Sequence, residues 1–340
     1  MSKTKMTAVV TVLIMVCAAV VAFAIGNDSQ NEESDETVTV TQVDGVEKTV
    51  RRMPERVVCL STYACEMLMI FGCTDRVVGV TNSSYENADQ SKHYSHAKDL
   101  GDFNNPDNAS LVKLNPDLII TWSTQRDVNA SFDQLNLPYV KLQCSSYETM
   151  ETEVTSLGKI FGKEDIAAEY CAFFSGIVDK VKSAVDRQDA KKKVFMESFS
   201  SYKASGSASS YYRLAVRAGA DMVYTEKSSA TVSAAWLAER NPEIIIKTPM
   251  LYKMINGGAK TIHDEICSRE GFKTTAAVMN DNVYVLCSQL FGGPRCFAGM
   301  VACYEMLYGG GELTLSSVLK DYNETFGLSL STSDLAYPSI

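Results

Sequence analysis

Two seven-residue segments constrain this chain more than any other feature. Residues 114–120 read L-N-P-D-L-I-I and residues 240–246 read R-N-P-E-I-I-I. In each, a proline stops a helix and turns the chain toward an extended conformation. In each, a short apolar run without alternation then reads as a strand buried on both faces. The same helix end and strand start therefore occur twice, which predicts an internal duplication.

The elements around the two segments repeat in the same order. In the first half, strands are expected at 57–60, 77–80, 118–121 and 139–142. Helices are expected at 63–71 and 128–135, with a short one ending at 111–114. A helical region follows over 149–191. It carries Ile166, Tyr170, Phe173, Phe174, Ile177, Val181 and Val185 on three- and four-residue steps, and Gly158 and Gly162 suggest a break. The alternation then restarts, with strands at 194–198, 244–247 and 283–286 and helices at 211–218, 233–240, 297–307 and 315–326. This is an α/β pattern: two Rossmann-like lobes with mainly parallel sheets, joined by a long backbone helix, with a ligand cleft between the lobes. The lobes are expected at 38–148 and 192–340, with the helical linker at 149–191. Residues 38–50 alternate around Asp44-Gly45, a hairpin signal at the entry to the first lobe.

The N-terminus sets the compartment. Lys3 and Lys5 precede an uncharged run over 7–25 that is long enough to span a bilayer. Residues 1–25 thus read as a signal peptide or an N-terminal membrane anchor, with everything after Asp28 outside. Residues 26–37 hold no apolar residue and several acids, a flexible stalk. The expected location is extracytoplasmic, at the cell surface or in the periplasm, and anchored by the N-terminus. Formal net charge is −9 and no basic block appears, which excludes nucleic-acid binding. Ten cysteines include no C-x-x-C, and Cys17 in the apolar run leaves an odd number outside. Cys59, Cys144, Cys171, Cys287 and Cys303 fall in apolar stretches and read as small buried hydrophobes.

These segments resemble the periplasmic-binding-protein family of iron-siderophore, haem and cobalamin ABC uptake systems. V-D-G-V-E-K-T-V followed by P-E-R-V-V resembles its entry hairpin and first strand. C-L-S-T-Y-A-C-E-M-L-M-I-F-G at 59–72 and D-R-V-V-G-V-T at 75–81 resemble its first strand, ligand loop and helix. F-G-G-P-R-C-F-A-G-M-V-A at 291–302 resembles its G-P-R segment. The resemblance implies a pair of lobes that captures a metal chelate (a siderophore, a corrinoid or haem) and delivers it to an ABC permease. Many members carry a glutamate seven residues before the proline of each N-P-D strand, for pairing with permease arginines. Here those positions are Ala109 and Ala235, which puts docking in doubt and opens the alternative of an anchored scavenger or sensor. A monomer is expected.

Ligands in open α/β sheets sit beyond the carboxyl ends of the strands. There the sequence places Tyr63, Trp122, Ser123 and Gln143 in the first lobe, and Tyr202, Tyr252, Phe291 and Arg295 in the second. Aromatic faces suit a large flat ligand, and Arg295 suits an anionic group on a chelate. Trp236 falls inside a helix and reads as packing. His93 and His96, in K-H-Y-S-H, read as a solvated loop; no metal site or resident cofactor is expected. G-x-S-x-G, H-E-x-x-H and phosphate-loop spacings are absent from the sequence, so an enzyme is not expected.

Overall fold

The computed structural model describes residues 36–330 and 335–338; the apolar N-terminal run and most of the acidic stalk lie outside them. The described chain enters through a hairpin, β1 (Thr37–Thr41) and β2 (Glu47–Arg51), turned at Asp44-Gly45. The first lobe then runs β3 (Val57–Cys59), α1 (Thr62–Ile70), β4 (Val77–Val80), α2 (Asn82–Glu86), α3 (Ala88–Tyr94), β5 (Lys98–Asp99), α4 (Asn108–Lys113), β6 (Leu118–Ile120), α5 (Arg126–Gln134) and β7 (Tyr139–Val140). Its five strands are all parallel, in the order β5-β4-β3-β6-β7.

Two helices follow, α6 (Met150–Phe161) and α7 (Glu164–Val185). The helical region is therefore a hairpin and not one run. Gly162 makes the break at φ +60°, a left-handed value that glycine adopts without steric cost. The 22-residue α7 is the backbone helix, about 33 Å long at 1.5 Å per residue. Its stripe turns inward as the spacing predicts: Tyr170, Phe174, Ile177 and Val181 are buried.

The second lobe comprises β8 (Lys193–Glu197), β9 (Lys203–Ala204), α8 (Ser210–Arg217), β10 (Asp221–Met222), β11 (Ala230–Thr231), α9 (Ala234–Arg240), β12 (Ile244–Lys247), α10 (Gly258–Ser268), α11 (Ala276–Met279), β13 (Val283–Leu286), α12 (Cys296–Tyr308), α13 (Leu315–Thr325) and β14 (Ala336–Tyr337). Parallel strands β8, β10, β12 and β13 form its centre, while β9, β11 and β14 join antiparallel at the edges.

The duplication is visible strand for strand. Strand β6 pairs with β3 and β7, and β12 pairs with β8 and β13, in the same parallel sense. Both signature asparagines sit past a helix end in the left-handed region, Asn115 at φ 45° and Asn241 at φ 44°. Both acids tie down the start of the neighbouring strand. Asp117 accepts from the Glu55 and Arg56 amides at 2.7 and 2.9 Å, and Glu243 accepts from the Lys193 amide at 2.9 Å. The motif is thus a joint: it stops a helix, reverses the chain and fixes the adjacent strand.

Helix α12 is buried on nearly every face and lies in the largest core cluster. Phe173 and Phe174 of α7 meet Phe297 of α12 edge-on at 5.5 and 6.3 Å, and Tyr322 of α13 closes the group at 5.3 Å from Phe297. This aromatic knot joins the backbone helix to the second lobe. The nine described cysteines are all free thiols; Cys59, Cys144, Cys287 and Cys303 are buried, but Cys171 is only half-buried on α7. The K-H-Y-S-H stretch corrects the loop expectation, because its first part lies in α3. Asn87 caps that helix by accepting from the Asp89 amide at 3.0 Å, and buried Tyr94 donates to the Cys65 carbonyl at 2.6 Å. Among the described residues no helix is long and apolar enough to cross a membrane.

Asparagine tolerates a left-handed backbone better than alanine does, by about 1 kcal/mol. Asn115→Ala and Asn241→Ala are each expected to lower the unfolding free energy measured in urea by at least about 1 kcal/mol; Asn115→Gly should hold or raise it, while Asn241→Gly should not, because the Asn241 side-chain oxygen also accepts from the Ala276 amide at 2.7 Å.

Candidate functional site

The residues beyond the strand ends form two aromatic groups, one in each lobe. In the first lobe, Trp122 follows β6. Its indole N–H donates to the Leu60 carbonyl at 3.0 Å, and its ring lies 5.5 Å from Phe103 and 5.9 Å from Tyr63. In the second lobe, Tyr211 in the first turn of α8 packs at a tilt on Phe291 at 5.2 Å and meets Phe199 edge-on at 6.0 Å. Burial pushes the Tyr63 phenol up to about 12, and it pushes the Tyr211 phenol up as well, with Tyr63 adding to that shift. Both therefore stay neutral, each a flat apolar face with a polar tip.

The lobes touch where Tyr63 meets the G-G-P-R loop. A methyl group on Gly292 would lie 2.9 Å from the Tyr63 hydroxyl oxygen. One on Gly293 would overlap the tyrosine ring itself, and Gly293 also needs its φ of +76°. Only glycine lets the loop close onto that ring. The Gly293 amide donates to the Ser145 carbonyl at 3.4 Å across the same seam.

Arg295 corrects the sequence reading. It is 5 % exposed, and its guanidinium bonds Glu66 of α1 at 3.1 Å and reaches Asp89 of α3 at 3.5 Å. Glu66 also accepts from the Tyr322 hydroxyl at 2.9 Å. Burial pushes the Glu66 carboxyl up, against the pull of Arg295. Arg295 is a clamp between lobes and offers no fork to a ligand. Outside the seam, Glu148 pairs with Arg213 of α8 at 2.8 Å, while Arg217 lies 4.4 Å from the Tyr147 ring centroid.

The remaining expected residues divide. Phe291 is buried beneath Tyr211 and forms wall, not rim. Gln143 is spent internally: its carbonyl oxygen accepts from the Ser123 amide at 2.7 Å and its amide donates to the Ser145 hydroxyl at 3.1 Å. Ser123 is half-buried and lines a separate surface pocket of ≈ 510 Å³ with Arg126 and Lys141. Tyr202 lies outside the aromatic group, for its ring packs on Phe272 at 5.2 Å and its hydroxyl donates to the Glu270 carbonyl at 3.0 Å. Tyr252 projects to solvent at 68 % exposure. Trp236 packs against Phe195 and Tyr224. Sequence reasoning missed Phe103, in a polar loop, and Tyr211, whose signal was its place in the first helical turn after the β9 strand end. Among the described residues no group of three or more His, Cys, Asp or Glu side chains could hold a metal ion.

Beneath the first lobe's rim, Glu153 of α6 is fully buried. It accepts from the Cys144 amide and the Thr149 hydroxyl, each at 2.7 Å, holding Cys144 at φ 52°. Burial raises its carboxyl to about 6 against those bonds.

Two α/β lobes with a shared parallel strand core, a helical bridge and aromatic groups beyond the strand ends define a bilobed solute-binding protein. A family model described as "Periplasmic binding protein" matches residues 57–290. The chain belongs to this family, the extracytoplasmic solute-binding proteins associated with iron-siderophore or haem ABC uptake systems. It is 22% identical over 325 residues to petrobactin-binding protein YclQ of Bacillus subtilis, covering 92% of this chain and 96% of that one. It is 26% identical over 223 residues to the high-affinity heme uptake system protein IsdE of Staphylococcus aureus, covering 63% and 76%. The fold superposes on a TroA-like periplasmic binding protein, FepB, from Veillonella parvula with a TM-score of 0.73 at 21% identity, over 86% of this chain and 97% of that one. Membership is consistent with a non-enzymatic transport role.

Removing one partner of a buried ion pair strands the other, at about 3–5 kcal/mol. Arg295→Met is expected to lose that much stability in urea, and adding Glu66→Gln should recover a large part of it. Glu153 gives a pH signature. Its native carboxyl binds a proton more tightly than the unfolded one, so its contribution is fully present below the unfolded value and is lost as pH rises through about 6. Stability should fall by about 2 kcal/mol across that window, and Glu153→Gln should flatten the profile.

Proposed function

We propose that the cleft captures an iron chelate with flat or aromatic faces, a siderophore foremost, for import by an ABC transporter. The observation that supports this reading is an aromatic group at the strand ends of each lobe, Phe103, Trp122 and Tyr63 in the first and Tyr211 and Phe199 in the second. Aromatic faces supply area at low entropic cost, and neutral phenols with nearby hydroxyls orient a ligand without demanding a charge. The petrobactin-binding relative, which this chain matches over nearly its whole length, supports the siderophore class.

Haem is the second reading. Met250, just beyond β12, is 45 % exposed, and its thioether is a soft donor of a kind that ligates haem iron. The haem-uptake relative supports it. A corrinoid remains third, on the sequence resemblance alone.

Delivery is proposed through an ABC permease, with the protein held at the membrane by its N-terminal segment. The docking chemistry departs from paired acids. Ala109 and Ala235 are exposed in the first turns of α4 and α9. Asp107 is spent as a cap, accepting from the Ser110 amide at 3.0 Å and the Ser110 hydroxyl at 2.6 Å, and Glu243 is held by Lys193. Glu239 is exposed on α9. A scavenger that hands its chelate to another binding protein rests on the same two alanines; stimulation of permease ATP hydrolysis by the loaded protein would count against it.

A thermal-unfolding screen of residues 38–340 with ferric petrobactin, haemin and cobinamide tests the ligand. At a hundred times its Kd, the true ligand adds about 2.7 kcal/mol of stability. We expect ferric petrobactin to shift the midpoint, and Trp122→Ala to weaken its binding about tenfold. A shift with haemin alone would replace the first reading with the second, and no shift at all would sink both.

A further inference from the structure

Strand β12 ends on a buried lysine that the ligand contacts above do not use. Lys247 is 4 % exposed, and its ammonium bonds the Glu197 carboxylate at 2.7 Å and the Ser198 carbonyl at 2.6 Å. The carbonyls of Phe199 and Ser200 lie at 3.2 and 3.3 Å. Three consecutive carbonyls and a carboxylate therefore converge on one ammonium. That is how a loop wraps a cation, and here the cation is covalently attached to the next strand.

The loop so wrapped leads from β8 to β9 and carries Phe199. That ring is 47 % exposed and stands edge-on to Tyr211. Glu197 has a second cation, since Arg269 holds both of its oxygens at 2.8 and 2.9 Å, and the Tyr202 amide donates to the same carboxylate at 2.8 Å. The carboxylate would stay paired without Lys247, whereas the three loop carbonyls would lose their shared donor.

We propose that Lys247 is a positioning residue: it acts as a built-in cation that folds the 198–202 loop and fixes Phe199 at the cleft rim. The consequence for binding rests on the chelate reading of that cleft. A side chain already immobilised does not have to be ordered when the ligand arrives.

Amide hydrogen exchange on the chain from residue 38 tests the positioning directly, without any ligand. In Lys247→Met, the Ser198 and Lys203 amides, which close the loop, should exchange at least about tenfold faster, while amides of β12 and β13 keep their protection. Lys247→Ala should behave likewise, and propylammonium, which matches the atoms removed, should restore protection where propanol does not. Unchanged exchange in Lys247→Met, or equal rescue by propanol, would overturn the proposal. With whichever of ferric petrobactin or haemin binds the native protein, Lys247→Met and Phe199→Ala should each weaken Kd roughly 3- to 10-fold and the double variant no further. Additive losses would refute the link to Phe199. If neither chelate binds the native protein, the uptake reading fails, and the exchange experiment alone decides the role of Lys247.

Discussion

The pairing of Arg295 with Glu66 is the constraint on which the rest of this molecule depends. The two charges come from different lobes and meet where water is excluded. Bringing both out of water is costly, and the return comes only from good geometry and further bonds. Those are present: Tyr322 donates to the second carboxylate oxygen, and Asp89 stands behind the guanidinium. Parting the lobes at this point would break the pair and its supporting bonds and require water to enter a seam that now excludes it. The seam at Tyr63 and the G-G-P-R loop is therefore a fixed point. Any opening of the cleft has to happen around it, toward the rim that carries Trp122 and Phe199.

That arrangement explains why the aromatic groups are set on short, heavily braced loops. Trp122 is tied to Leu60, and Gln143 props the Ser123 amide. In the second lobe, Glu197 and Lys247 bind the loop from below. The polar groups nearest the cleft mostly bond to backbone, so they fix shape and leave the aromatic surfaces free. On the proposed chelate reading, a site organised in this way needs little ordering when its ligand arrives.

Most of the fold was legible because the signal was local. Strands β4, β12 and β13 have the residues that their apolar runs marked, and the repeated Asn-Pro-acid joint announced both lobes. Helix α10 was not foreseen: residues 258–268 mix glycine, lysine, histidine and acids, and only Ala259 and Ile266 are buried. The site was less legible for a different reason. Strand ends show which loops reach the cleft, but they do not show which way a side chain turns once there. Arg295 turns back to Glu66, Tyr202 turns to Phe272, and Gln143 turns into its own lobe. Each choice is made by a partner distant in sequence, which a single sequence does not display.

The free thiols described above bear on how the molecule matures. Every described cysteine is reduced, and the two lobes are joined by packing, ion pairs and a helical hairpin alone. Among the described residues no disulfide fixes how the two lobes come together, so their register rests on sheet and helix packing. Most of its described thiols lie in a dry interior, with Cys171 and Cys267 nearest the surface. Burial pushes even those two thiols up, away from the thiolate, so a thiol reagent would find little to react with while the described chain stays folded.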